Sequence, residues 1–191
     1  MARPLSLCVF CGSSQGNDPK HRLQAARLGR LIAKRGIRLV YGGAKVGLMG
    51  VLADAALEAG GQVTGVVPRH LTRAEVAHEA LSEMIVVESM HERKRKMFEL
   101  ASAFAALPGG LGTLDETNEI ITWKLLGLHD KPILLVDQDG YWGPLTDLID
   151  HAVASGFAEP SVKDLFTLVA DSDGVIAALE SASAPEITPF A

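Results

Sequence analysis

The sequence predicts an α/β fold in three layers, a mostly parallel sheet of about seven strands covered by helices on both faces, and three observations predict it. Short, nearly continuous apolar runs recur along the chain, which is how strands buried on both faces read. Helical patterns of roughly ten to fifteen residues alternate with them. Glycine-rich polar segments follow the strands, where open parallel sheets bind ligands.

The first strand is Leu5-Ser6-Leu7-Cys8-Val9-Phe10-Cys11, and a helix pattern runs from His21 to Arg35. Arg38 to Tyr41 reads as the second strand, Gly47 to Ala59 as a helix and Gln62 to Val67 as the third strand. Pro68 to Ser82 fits neither pattern and is a candidate lid over the ligand edge. Strand patterns follow at Met84 to Val87, Ala103 to Leu107, Pro132 to Val136 and Phe166 to Val169. Helix patterns separate them at Met90 to Ala101, Thr113 to Leu126 and Tyr141 to Ala154, and Asp173 to Leu179 closes the fold. The result is a Rossmann-like α/β/α sandwich in one domain, residues 1–180, with 181–191 as a C-terminal tail.

Composition narrows the function. A chain of 191 residues with 48% hydrophobic residues supports one substantial core. The formal net charge of −5 provides no general basic footprint, so nucleic acid is not an expected partner. No run of 18 apolar residues or secretory-type segment occurs, which predicts a cytoplasmic protein with no membrane contact. Cys8 and Cys11 have C-x-x-C spacing, but residues three apart on a strand face opposite ways. Two packed thiols are expected there, with no metal and no redox pair.

Three loops carry the chemistry: Cys11 to Gly16, Gly42 to Gly47, and Pro108 to Thr113. In Pro108-Gly109-Gly110-Leu111-Gly112-Thr113-Leu114-Asp115-Glu116 the glycines admit a ligand close to the backbone. The helix that opens there directs unpaired amides and a partial positive charge at an anion. Glu116 lies one turn beyond Thr113, placing a carboxylate beside a phosphate held by Gly110 to Thr113. The second loop matches neither G-x-G-x-x-G nor G-x-x-x-x-G-K-[ST]. Gly42 and Gly43 are expected to face the ligand, and Gly50 to serve close helix packing. Arg93 to Lys96 are four consecutive cations spread over roughly 300° of helix, so at most two serve a site. Arg93 and Lys94 are best placed, while Met90, Met97 and Ala101 form a stripe expected in the core.

Together F-C-G-S-S (Phe10 to Ser14), G-G-A-K-V-G-L-M-G (Gly42 to Gly50), M-H-E-R-K (Met90 to Lys94) and P-G-G-L-G-T-L-D-E (Pro108 to Glu116) resemble the Lonely Guy family of cytokinin riboside 5′-monophosphate phosphoribohydrolases. The resemblance covers nearly the whole chain. It implies hydrolysis of the N-glycosidic bond of an N6-modified AMP, or of AMP itself, to free adenine base and ribose 5-phosphate, with no cofactor. It makes Arg93 and Glu116 the catalytic pair. The implied substrate contacts are Ser14, Gly43, Glu75, Arg93, Lys94, Gly110, Leu111, Gly112, Thr113, Leu114, Asp115, Glu116 and Thr122. Ala44 stands where the family usually has a third glycine, and Asp115 where glutamate is commoner.

The chemistry agrees. An oxocarbenium-like state is stabilised by a carboxylate that also orients water, a role for Glu116. Arg93 stays charged at any working pH, so it holds substrate and steadies Glu116 instead of delivering a proton. Thr122 lies about 240° around the helix from Glu116 and cannot share its face. Ile120, Ile121, Trp123, Leu125 and Leu126 ring that helix with more apolar surface than one core face needs, which predicts a homodimer with sites near the interface. Three other readings compete: a nucleotide or cofactor carrier using the same loop, a pyridoxal-dependent lysine decarboxylase, and a dinucleotide oxidoreductase. The last lacks G-x-G-x-x-G after the first strand.

Overall fold

The computed structural model describes residues 5–72 and 77–183. Seven strands, β1 (Ser6–Phe10), β2 (Arg38–Tyr41), β3 (Val63–Pro68), β4 (Glu83–Val87), β5 (Ala103–Ala106), β6 (Ile133–Val136) and β7 (Thr167–Val169), form one sheet in the order β4-β3-β2-β1-β5-β6-β7. Every neighbouring pair is parallel, as the continuous apolar runs predicted.

Strand alternation divides the core. Leu7, Val9 and Cys11 join the cluster under α1 (Pro19–Lys34), α2 (Gly47–Glu58) and α7 (Ser172–Ser183). Cys8 and Phe10 join the cluster under α4 (Met90–Leu100) and α5 (Leu111–Leu125), with Trp142 just ahead of α6 (Gly143–Ala154). Cys8 and Cys11 are therefore free, buried thiols on opposite faces of the sheet, as their spacing required. Met97 and Ala101 are buried as expected, but Met90 is partly exposed at the first turn of α4, beside Arg93.

Local chemistry sets the helix ends. Asp18 caps α1 by accepting from the Lys20 amide at 2.9 Å, and Pro19 occupies the first turn, where its missing N–H costs nothing. The helix thus starts two residues before His21. Helix α5 likewise begins at Leu111, two residues before Thr113, and α7 runs to Ser183, three residues into the expected tail. Helices α1 and α2 pack so closely that a Cβ on Gly29 would overlap the Leu52 carbonyl. A short helix, α3 (Arg69–Thr72), opens the segment read as a lid. No helix among the described residues is long and apolar enough to cross a membrane.

The order of strands reverses between β1 and β5, with the chain moving one way through β2 to β4 and the other through β6 and β7. Such a switch opens a crevice at the carboxyl ends of the central strands, because their following loops diverge. Phe10 pairs in register with Ala106, so the loops after β1 and β5 leave the sheet side by side. The Gly12 amide donates to the Pro108 carbonyl at 3.1 Å and joins them.

Candidate active site

The site is built on the start of α5. Its N-cap is Gly110, with no side chain bonding the first-turn amides, so those N–H groups remain for an anion. Gly109 is wedged in place: a Cβ there would overlap Thr113 Oγ1 and come within 2.8 Å of the Gly12 nitrogen. The glycine therefore allows β1's loop and α5 to close on each other.

Glu116 is buried one turn along α5, and Arg93 meets it from α4, with Nη2 3.6 Å from Oε1. Each of these side chains is about nine-tenths buried. At that separation the two attract without a direct hydrogen bond, and Arg93 Nε has no partner among the described residues. A buried guanidinium with donors to spare is costly unless a ligand takes them up.

Three features fix Arg93. Ser89 caps α4 by accepting from the Glu92 amide at 3.1 Å, and Glu92 reaches back to the Glu88 amide at 2.9 Å. The glutamate of M-H-E-R-K thus anchors the helix start instead of entering the site. The Arg93 amide donates to the Ser89 carbonyl at 3.0 Å. Gly42 presses on the guanidinium, since a Cβ there would overlap Arg93 Nη2.

Charge around the pair is uneven. Burial raises the Glu116 carboxyl above its ordinary value; Arg93 opposes that rise, and Asp115 adds to it. Lys94 lies 3.1 Å from both Asp115 and Glu119. Burial alone would lower Lys94, but the two carboxylates outweigh it and leave its ammonium more firmly charged than usual. Lys94 ties α4 to α5 beside Arg93 and Glu116. Arg95 and Lys96 both pair with Glu99 on their own helix.

A cleft of about 300 Å³ is lined by Ser13, Gly42, Arg93, Gly110 to Thr113 and Glu116. A second, of about 420 Å³, lies along the β1 and β5 loops and is lined by Gly12, Ser14, His21, Gly110 and Tyr141. Arg93, Glu116, Gly110, Leu111, Gly112 and Thr113 thus come together, and Ser14 borders the second cleft. Leu111 lines the first cleft and is 85% exposed. Gly43 is buried at φ 76°, where a Cβ would overlap Val67, so it makes the turn while Gly42 faces the cleft. Gly50 is a packing position, its would-be Cβ overlapping the Lys45 carbonyl. Leu114 packs against the core, and Asp115 faces Lys94. Thr122 is exposed, donates to the Asn118 carbonyl at 2.8 Å and borders neither cleft. Glu75 lies outside the described residues.

Sequence reasoning covers Ser13 only as part of the Cys11 to Gly16 loop and misses Glu119 and Tyr141. Glu119 had a readable cue, its i, i+4 relation to Asp115 on the helix face that meets Lys94. The far side of the lid segment is fastened: the His78 amide donates to the Gly43 carbonyl at 2.9 Å, and His78 Nε2 lies 2.8 Å from Asp54 Oδ1. Leu71 of α3 lines the first cleft. Among the described residues no group of three or more His, Cys, Asp or Glu side chains is disposed to hold a metal ion.

Residues 49–179 match the family model described as "Possible lysine decarboxylase". A cytokinin riboside 5′-monophosphate phosphoribohydrolase of Rhodococcoides fascians is 48% identical over 179 residues, 93% of this chain and 90% of that one. The chain belongs to the Lonely Guy family. A plant member named as the same enzyme, from Arabidopsis thaliana, is 43% identical over 92% of this chain and 77% of its own. The same fold occurs in solved structures of other proteins. A molybdenum cofactor binding protein of Rippkaea orientalis superposes with a TM-score of 0.73 at 22% identity, covering 96% of this chain and all of that one. The Moco carrier protein of Chlamydomonas reinhardtii gives 0.70 at 24% identity, over 94% and 97% of the two chains. At such identities the likeness is one of fold.

Proposed function

We propose that this chain hydrolyses the N-glycosidic bond of an N6-modified AMP, or of AMP, releasing the free adenine base and ribose 5-phosphate. The observation that carries the reading is the buried Arg93 and Glu116 pair facing the same cleft as the open amides of α5. An anion cradle alone suits a carrier, whereas a carboxylate and a guanidinium with spare donors, set one helical turn away, suit bond cleavage.

The 5′-phosphate rests on the amides of Gly110 to Thr113 and the Thr113 hydroxyl, where the helix dipole favours negative charge. The ribose then lies toward Glu116. As the C1′–N bond breaks, its electron pair leaves with the base and positive charge grows on the sugar, which the Glu116 carboxylate stabilises. Glu116 takes a proton from the attacking water, whose oxygen bonds to C1′, and solvent protonates the departing base. Burial helps, because a base with a raised pKa accepts a proton more readily. Arg93 holds the ribose hydroxyls or phosphate with its spare donors and keeps Glu116 ionised.

A decarboxylase needs a lysine that is easily deprotonated to form a Schiff base. Lys94, the lysine beside Glu116, is instead held charged by two carboxylates. We also propose a cytoplasmic homodimer. Leu125, Leu126 and Leu128 are 55%, 67% and 65% exposed at the end of α5, apolar surface suited to a symmetric partner.

The test is incubation of the purified protein with AMP and with N6-isopentenyl-AMP, followed by chromatography for free base and ribose 5-phosphate. Release of both products in equal amounts supports hydrolysis. Tight AMP binding with no release from either nucleotide favours the carrier reading.

A further inference from the structure

Tyr141 belongs to none of the motifs above, yet its phenol closes on the phosphate loop. Its hydroxyl donates to the Gly109 carbonyl and lies 3.2 Å from the Gly109 amide as acceptor. One side chain, 32 positions along the chain, thus holds both backbone polar groups of a single loop residue. The Gly109 amide is thereby taken up internally, and the amides left for an anion begin at Gly110.

The peptide unit explains why this matters. The Gly109 carbonyl and the Gly110 N–H share one rigid plane and point in opposite directions. Drawing the carbonyl toward Tyr141 therefore aims the Gly110 amide away from it. Gly110 borders both clefts and Tyr141 only the second, so the phenol stands behind the loop and not among the Arg93 and Glu116 side chains.

The tyrosine is itself fixed. Its ring meets Trp142 edge-on at 5.2 Å and His21 at 6.1 Å. Trp142 is buried, and its amide donates to Asp137 Oδ1 at 2.7 Å. The turn before Tyr141 is joined to α1 by Lys20 and Asp139 at 2.8 Å.

We propose that Tyr141 is a positioning residue: by orienting the Gly109–Gly110 peptide it sets the first amide of the cradle, and so the grip on the 5′-phosphate. This rests on the phosphate-cradle reading of the α5 start. It requires no contact between Tyr141 and the reacting atoms.

The test compares kcat and KM for AMP and for adenosine in the wild type and in Tyr141→Phe, which keeps the ring packing and removes only the hydroxyl. The expected result is a fall of about tenfold in kcat/KM for AMP, carried mainly by KM, as for loss of one ordinary hydrogen bond. Adenosine turnover should be nearly unchanged. Binding of ribose 5-phosphate, measured by calorimetry without turnover, should weaken in parallel. A structural role alone would lower both substrates equally, and that result, or an unchanged AMP-to-adenosine ratio, overturns the proposal. Should the wild type not prefer AMP over adenosine, the cradle reading fails and the proposal falls with it.

Discussion

Arg93 Nη2 lies 3.6 Å from Glu116 Oε1, across the gap between α4 and α5, with both side chains about nine-tenths buried. The spacing is too long for the two to satisfy each other and short enough for each to set the other's charge. Both residues line the cleft that holds the α5 amides.

Replacing the guanidinium should show both roles. Arg93→Met should lower kcat roughly a hundredfold, the usual scale for one preorganised electrostatic contact. Because Arg93 holds the Glu116 carboxyl down against burial, its removal should move the acidic limb of the residual rate profile to higher pH. An unchanged limb in a stopped-assay pH series would separate the two residues functionally.

The wild-type profile has a definite sign. In the proposed mechanism Glu116 acts when ionised, and burial raises its carboxyl above 4.5, so kcat/KM should fall with acidification at a higher pH than an ordinary carboxylate gives. Stability runs the other way. The folded state holds this proton more tightly than the unfolded chain, so the associated stability is full below 4.5 and is lost as pH rises through the folded value. The unfolding free energy of the wild type minus that of Glu116→Gln should therefore decrease as pH rises across that window, read from urea titrations at several pH values.

Two adjacent glycines should fail differently. Gly42→Ala places a methyl on Arg93 Nη2 at an unstrained backbone position, so activity should drop by about a hundredfold while the melting temperature changes little. Gly43→Ala meets both a φ of 76° and Val67, and should cost about 1–3 kcal/mol of stability. Equal thermal shifts in the two variants would contradict this division.

Lys94 offers a choice between a strut and a phosphate contact. Tied to Asp115 and Glu119, it should act as a strut, so Lys94→Met should reduce kcat by roughly tenfold through displacement of Arg93, with KM for AMP nearly constant. A rise in KM alone would assign it to the phosphate.

The fold was legible because its inner strands are buried on both faces and carry unbroken apolar runs, as in Ala103 to Leu107 and Pro132 to Val136. Helix starts were less so: α5 begins at Leu111 because its cap is Gly110, which has no side chain to announce it. At the site, Glu116 and Arg93 stood out through motifs whose glycines and charges have local explanations. The two glycines are hard to tell apart in the sequence because glycine serves two purposes there, admitting a guanidinium at Gly42 and freeing a turn at Gly43. Tyr141 was invisible for a different reason. Its link to Gly109 depends on β5 and the turn after β6 emerging at the same edge of the sheet, a relation created by topology and not by spacing.

The central claim is that Glu116 cleaves the sugar–base bond of a nucleotide held at the start of α5. Single-turnover release of free base from N6-isopentenyl-AMP and AMP, in wild type and in Glu116→Gln, with nucleotide binding measured on the same samples by calorimetry, tests it most directly. The expected result is rapid release by the wild type and near-complete loss in Glu116→Gln with binding retained. Near-normal release by Glu116→Gln would contradict the account.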